Sequence, residues 1–346
     1  MKNVEFEQYF RKSAIDIDKA LQRRLRAWVS TSNKITPSFS PFAKKFIDAC
    51  DGGKRIRGSL ILLGYKIAGK KKCSDILSAA VAYEIFQTAI LAHDDIIDKS
   101  PTRRGRPSLH TTLGSDHLAT SYAICLGDVG FFLAYQILNE LNCDTKLKNL
   151  ALSNFSDTML NTTIGEILDI KLSAEKTKDE QDTLTMLDLK TAWYTVVGPL
   201  QLGAILGGAD KKLLKNIKEF GKNLGIAFQI QDDILGTFGD PTKTGKSVDS
   251  DIKEGKSTIL ISHALSHANN ADKKILTQAY GSQSITDDEI QIVRDIMVRT
   301  GSLKYAELSL EKLSKSAIKL IPKLTKKAEF KNLLNGLVDY IVKRNY

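Results

Sequence analysis

Residues 74–98 read SDILSAAVAYEIFQTAILAHDDIID, an apolar stretch with neither glycine nor proline that ends in three aspartates. It predicts one long apolar helix over Ser74–Asp98. Asp94 and Asp98 stand at i and i+4, so both carboxylates project from one helix face. Like charges at that spacing repel, and acids at a helix C-terminus oppose the macrodipole. A divalent cation reverses the sign of that interaction, and hard oxygen ligands suit Mg²⁺. Taken alone, the cluster reads first as a solvated acidic helix end.

Helical periodicity continues on both sides. Helices are expected over Ala14–Val29, Arg57–Ala68, Asp116–Leu141, Leu147–Ile170, Glu180–Leu206 and Lys211–Leu235. Ser257–Ser266, Asp287–Arg299, Leu303–Leu320 and Lys326–Arg344 follow. Runs of period-two alternation are absent, so no sheet is expected. Only 7 Pro and 23 Gly in 346 residues leave such helices uninterrupted. Breaker-rich loops fall at Cys50–Lys54, Lys99–Pro107 and Thr237–Gly255. No linker divides the chain, so residues 1–346 are expected to form a single all-α domain, a bundle of long helices.

Composition excludes several classes. With 42% hydrophobic and 26% charged residues the chain is neither disordered nor collagen-like. No apolar run of the roughly 18 to 20 residues that a membrane span needs is evident. The first ten residues contain no apolar core of a secretory signal. Cys50, Cys73, Cys125 and Cys143 show no CxxC spacing, so reduced thiols in a cytoplasmic protein are expected. The net charge of +10 raises the question of nucleic acid. Much of it sits in amphipathic lysine-rich stretches such as Lys211–Lys222 and Lys312–Lys327, which read as solvated helix faces.

A second acidic cluster changes the reading of the first. Asp232 and Asp233 again close an apolar helical run. A basic loop follows each cluster: Arg103, Arg104 and Arg106 after the first, and Lys243, Lys246, Lys253 and Lys256 after the second. Carboxylates that hold Mg²⁺, with Arg and Lys nearby, are the apparatus for binding diphosphate. The two clusters are far enough apart in sequence to face each other across a bundle core.

On these motifs the chain resembles the trans-isoprenyl diphosphate synthases, or polyprenyl synthetases. Their two aspartate-rich motifs match Asp94-Asp95-Ile96-Ile97-Asp98 and Asp232-Asp233-Ile234-Leu235, and the likeness runs from about Gly52 to Lys256. The resemblance implies the isoprenoid synthase bundle around a central apolar cavity. It also implies Mg²⁺-dependent head-to-tail transfer of an allylic diphosphate onto isopentenyl diphosphate, with about three ions per active site. The metal ligands would come from Asp94, Asp95, Asp98, Asp232 and Asp233. Lys54, Arg57, Gln87 and Arg104 would bind isopentenyl diphosphate. Arg103, Lys190, Thr191, Gln229, Lys246 and Lys256 would hold the allylic diphosphate. Within this set Asp94, Asp98, Arg103, Lys190, Asp232 and Lys246 would carry catalysis by stabilising the departing diphosphate. The released diphosphate would serve as the base, and a homodimer is expected.

One position departs from the pattern. Gly236 stands where the family often has a third aspartate, so the remaining ligation must come from Asp232 with water, or from a neighbour such as Asp233, Asp249 or Asp251. Product length should depend on Phe86, Ala89 and Ile90 on the helix before Asp94. The resemblance implies that a bulky aromatic at the place of Ala89 or Ile90 would stop growth at farnesyl; Ala89 removes that block, and Phe86 would act as a deeper floor. Geranylgeranyl diphosphate is therefore the expected product, with longer polyprenyl or farnesyl products as alternatives. Three other classes share part of the pattern. A terpene cyclase would have no use for a second diphosphate site at Lys54, Arg57 and Arg104. A weak subunit of a heteromeric synthase is suggested by Gly236. An RNA-binding helical protein is suggested by charge alone, without aromatics or a binding module. Neither nucleic acid nor stable membrane insertion is expected.

Overall fold

A computed structural model describes residues 2–69, 73–175, 179–239, 249–282 and 284–342. These fall into two compact units. The amino-terminal unit comprises residues 4–154 and 199–211, and the carboxy-terminal unit residues 1–3, 155–198 and 212–346.

The amino-terminal unit begins with α1 (Lys2–Ile35), a 3₁₀ turn at Pro37–Phe39, and α2 (Ser40–Cys50). Next come α3 (Ile56–Ala68) and α4 (Ile76–Ile97), the helix that carries the first acidic cluster. Residues 79–89 of α4 are buried without interruption, as expected of a helix that is apolar all round. A small hairpin of β1 (Thr102–Arg103) and β2 (Arg106–Pro107) follows, in register Thr102↔Pro107 and Arg103↔Arg106. This strand pair was not expected, because two residues are too few to show alternation. Its Arg104–Gly105 loop has positive φ at both positions (55° and 72°), the geometry of a two-residue turn that matches strand twist.

α5 (Leu109–Leu113) leads to α6 (His117–Asn139), whose N-cap Asp116 accepts from the Ala119 amide at 2.9 Å. α6 crosses α4 where its glycines make room. A Cβ on Gly127 would fall on the His93 ring, and one on Gly130 would come within 2.8 Å of the Ala89 methyl. α4 and α6 are long and apolar enough, by length and composition, to cross a membrane, which the sequence reading did not anticipate. Two thirds of the α4 window (67%) is buried within the protein, against 39% for α6.

α7 (Thr145–Ala174) follows. The segment expected as one helix over Glu180–Leu206 divides into α8 (Glu180–Met186), a π-helical stretch (Leu187–Val197) and α9 (Gly198–Leu206). In the amino-terminal unit α9 lies directly on α3: a Cβ on Gly203 would fall on the Ile61 carbonyl. The carboxy-terminal unit continues with α10 (Lys211–Phe238), α11 (Ser250–Glu254), α12 (Ile259–His267) and α13 (Asn270–Ala279). It closes with α14 (Asp287–Arg299), α15 (Ser302–Leu324) and α16 (Ala328–Val342). A capping box of Thr286 and Glu289 starts α14. The core of this unit runs through Leu172, Ala192, Ile226, Ile230, Ile259 and Val293. Periodicity had missed α2, α5, α11 and α13, all short.

Candidate functional site

In the amino-terminal unit the site begins at the α2–α3 connection. Gly52 and Gly53 take left-handed φ of 78° and 92°, and Arg55 follows at 49°. The glycines let the backbone approach a cation: Arg104 Nη1 donates to the Gly52 carbonyl at 3.4 Å, and a Cβ on Gly53 would stand 2.7 Å from the same nitrogen. Two residues beyond Arg55, Arg57 sits in the first turn of α3. The Gln87 amide oxygen, turned toward the cations, accepts from Arg57 Nη1 at 3.2 Å and from Arg104 Nη2 at 3.0 Å. Three of the four residues expected around isopentenyl diphosphate thus meet, from three separate elements. The fourth, Lys54, lies exposed on the connection itself.

Sequence reading passed over Arg55, which is only 4% exposed. Its guanidinium reaches Asp18 Oδ1 (2.6 Å), Glu84 Oε2 (3.4 Å) and the Cys50 carbonyl (2.8 Å). Glu84, also buried, accepts from the Gly58 amide at 2.8 Å through its other oxygen. This network fixes the connection that presents Lys54 and Arg57. A neutral-looking helix interior around Glu84 gave no sequence signal for it.

The first acidic cluster ends α4. Asp94 and Asp98 are half-buried, and Asp95 is 3% exposed. Arg103, presented by the hairpin, forks onto the pair: Nη2 to Asp94 Oδ2 at 2.7 Å and Nε to Asp95 Oδ1 at 2.5 Å. Burial pushes Asp95 up to about 6, although Arg103 pulls the other way. The like-charge repulsion read from the sequence is thus met by the protein's own arginine. Of the residues expected to set product length, Phe86 is buried, with its ring 5.3 Å from Tyr83 and 5.9 Å from Phe131 between centroids. Ala89 is fully buried against Gly130, so its small size also has a packing reason, and Ile90 is half-buried.

In the carboxy-terminal unit the π-helical stretch positions Lys190 and Thr191. It is approached closely on two sides: a Cβ on Gly165 of α7 would fall on the Lys190 backbone, and one on Gly225 of α10 on Ala192. Lys190 Nζ lies 2.6 Å from Asp169 Oδ2 and 2.8 Å from Glu166 Oε2, two acids one turn apart that sequence reading did not single out. Thr191 donates to Gln229 Oε1 (2.9 Å), and Gln229 Nε2 donates to Asp233 Oδ1 (2.9 Å). Asp232 is half-buried and Asp233 buried. Burial and the nearby Asp251 raise Asp233 well above the usual carboxylate range. Lys256 Nζ stands 3.1 Å from Glu254 and 3.8 Å from Asp251. Lys243 and Lys246 lie outside the described residues.

The departure at Gly236 has a structural counterpart. A Cβ there would fall on Oδ2 of Asp251, so a carboxylate from the next helix stands where a side chain at 236 would begin. Arg294, also unforeseen, anchors this corner by donating to the Thr237 carbonyl and to Asp249 Oδ1, each at 2.7 Å.

No three His, Cys, Asp or Glu side chains converge as a self-sufficient metal cage among the described residues. The donor set nevertheless suits Mg²⁺, which keeps several waters and takes one or two carboxylates plus phosphate oxygens. Asp94 and Asp98 on one face offer two such carboxylates, and Oδ2 of buried Asp233 has no hydrogen-bond partner.

Comparison with known proteins identifies the family. Residues 41–297 match the family model described as Polyprenyl synthetase. A geranylgeranyl diphosphate synthase of Sulfolobus acidocaldarius is 33% identical over 85% of this chain and 87% of its own length. A geranylfarnesyl diphosphate synthase of Aeropyrum pernix is 32% identical over 85% and 91%. A crystal structure of geranylgeranyl pyrophosphate synthase from Corynebacterium glutamicum, complexed with isoprenyl diphosphate and magnesium, aligns with a TM-score of 0.86 and 27% identity. That alignment covers 95% of this chain and 98% of the other. The fold is that of the all-α isoprenoid synthases. The chain belongs to the polyprenyl synthetase family and is a prenyltransferase.

Proposed function

We propose that this prenyltransferase condenses isopentenyl diphosphate with an allylic diphosphate, head to tail, to give geranylgeranyl diphosphate. The observation that carries this reading is the meeting of Arg57, Gln87 and Arg104, beside the loop that bears Lys54. A cyclase, which takes one diphosphate, would leave that second cationic pocket unused.

In this reading Asp94, Asp98 and Asp232 would be the direct Mg²⁺ ligands, with buried Asp95 and Asp233 beside them in their respective motifs. Mg²⁺ held there, about three ions per site, would supply Lewis-acid assistance to departure of the diphosphate. Lys54, Arg57, Gln87 and Arg104 orient the isopentenyl diphosphate. Arg103, Lys190, Lys246 and Lys256 would neutralise the allylic diphosphate and Thr191 and Gln229 would hydrogen-bond it, stabilising the charge that develops on the leaving group. The apolar length of α4 leading to Asp94 excludes water from the allylic cation. Incubation with Mg²⁺, isopentenyl diphosphate and geranyl or farnesyl diphosphate tests the reading by diphosphate release and product chromatography. Absence of turnover with both primers overturns it in favour of a weak subunit, and farnesyl diphosphate as end product overturns the chain length.

The relatives make products of different lengths at nearly equal identity, so length rests on individual side chains. Phe86→Ala removes a ring packed on Tyr83 and Phe131, and products longer by at least one isoprene unit should appear on chromatography.

We read Asp251 as the replacement for the carboxylate missing at Gly236. Asp251→Ala should lower kcat/KM by about 10- to 100-fold, the usual cost of losing a group that supports a metal site. Adding Gly236→Asp to that variant should restore part of the loss, whereas Gly236→Asp alone drives two carboxylates together and should lower activity. An unchanged kcat/KM in Asp251→Ala would remove it from the site.

We further propose that residues 1–346 act as a single cytoplasmic domain and pair as a homodimer through α6. Leu118, Tyr122, Ile124 and Tyr135 are exposed on that helix, and Phe132 is 75% exposed.

A further inference from the structure

The four cysteines are all free, and the fold sorts them into distinct environments. Cys50 is buried, which pushes its thiol up to about 12 and leaves it inert. Cys125 is exposed on α6. Cys73 and Cys143, remote in sequence, are brought face to face as partners in an isolated antiparallel bridge. The Cys143 side chain lies close enough to bear on the Cys73 thiol.

The two segments are held together without any help from sulfur. The Asn142 amide donates to Asp75 Oδ2 at 3.0 Å and Ser74 Oγ donates to the Asn142 carbonyl at 3.5 Å, while Tyr65 of α3 donates to the Cys73 carbonyl at 2.5 Å and pins the first segment to its own helix. Opposed residues of an antiparallel pair have Cα atoms about 4.5–5.5 Å apart. A disulfide spans about 4.4–6.8 Å between Cα atoms, so the backbone need not move to form one.

We propose that Cys73 and Cys143 form a reversible disulfide, a modification site that ties the α3–α4 connection to the α6–α7 connection. Glutathione disulfide is a sufficient oxidant. The half-buried Cys143 thiolate attacks one glutathione sulfur, breaking that S–S bond and releasing the first glutathione. The Cys73 thiolate then attacks Sγ of Cys143, breaking the mixed disulfide and releasing the second. Two protein thiols lose two electrons and two protons, and one glutathione disulfide becomes two thiols. Cys73 is 1% exposed, and burial lifts its thiol to about 11, so the second step is slow near neutrality and quickens as pH rises.

The loop closed by this bond contains α4, the hairpin, α5 and α6, and with them Asp94, Asp98, Arg103 and Arg104. Restricting so long a loop in the unfolded chain should raise the Tm by about 5 °C.

The test uses the full chain carrying Cys125→Ser, which prevents cross-linking between chains through that exposed thiol. After treatment with glutathione disulfide, mass spectrometry should find a Cys73–Cys143 peptide pair in protein that migrates as a single chain on a non-reducing gel. The Tm should rise by about 5 °C and return with dithiothreitol, and Cys143→Ser should abolish both effects. A stable glutathione adduct on Cys143 with Cys73 still alkylatable would overturn the proposal. So would a Tm rise that survives in Cys143→Ser.

Discussion

Replacing Asp94 with alanine should lower kcat/KM for prenyl transfer by on the order of 10³-fold and leave the protein folded. Mg²⁺ in a diphosphate site takes only one or two carboxylates from the protein, so each is a large share of what the chain supplies. Loss of one weakens Lewis-acid assistance to the leaving group, worth several kcal/mol in the transition state, and each 1.36 kcal/mol is a factor of ten. Folding should survive because Asp94 lies at a helix end with its side chain 15% exposed, and Arg103 keeps its bond to Asp95. Diphosphate release measures the loss, and circular dichroism checks the fold. Asp94→Asn keeps one oxygen donor without the charge and should demand a higher Mg²⁺ concentration for half-maximal rate. Removal of Mg²⁺ by chelation should silence the parent and be reversed by adding the metal back. An Asp94→Ala variant within tenfold of the parent would strike Asp94 from the ligand set.

The contrast between Asp94 and Asp95 shows what a sequence can and cannot convey. Spacing alone told that Asp94 and Asp98 share a face and that their carboxylates repel, a repulsion that the second cluster at Asp232 and Asp233 turned into a metal reading. It could not tell that Asp95 points inward to Arg103, because the hairpin delivering that arginine is two residues per strand and leaves no periodic trace. Long helices were legible because apolar residues recur over many turns, as in α4, α6 and α10. The π-helical stretch was not, since its altered register comes from close packing at Gly165 and Gly225, contacts made by residues far away in the chain. The same holds for the site. Lys54, Arg57, Gln87 and Arg104 were found through motif order, whereas Glu166, Asp169, Arg294 and Arg55 act by meeting partners on other elements. The carboxylate of Asp251 beside Gly236 belongs to the same class: a gap visible in sequence, filled by a residue that only the fold could single out.

Arg55→Met should destabilise the protein by about 3–5 kcal/mol, the cost of leaving one member of a buried ion pair without its partner. Arg55 and Glu84 side chains are 3% and 2% exposed, so Glu84 would remain as a charge with no cation and little water. The Cys50 carbonyl would also lose its donor. Asp18, whose side chain is 49% exposed, is the weak arm, and Asp18→Ala should cost less than about 1 kcal/mol. Urea midpoints for the three proteins should therefore rank parent, Asp18→Ala and Arg55→Met in falling order. Adding Glu84→Gln to Arg55→Met removes the stranded charge while a side-chain oxygen can still accept from the Gly58 amide, and should recover a substantial part of the loss. The functional consequence follows from position. Arg55 ties down the connection whose Gly52 carbonyl receives Arg104 and whose ends bear Lys54 and Arg57, so the KM for isopentenyl diphosphate should rise before the allylic KM does. If Arg55→Met unfolded at the parent's urea concentration, the buried network would have no part in holding this loop.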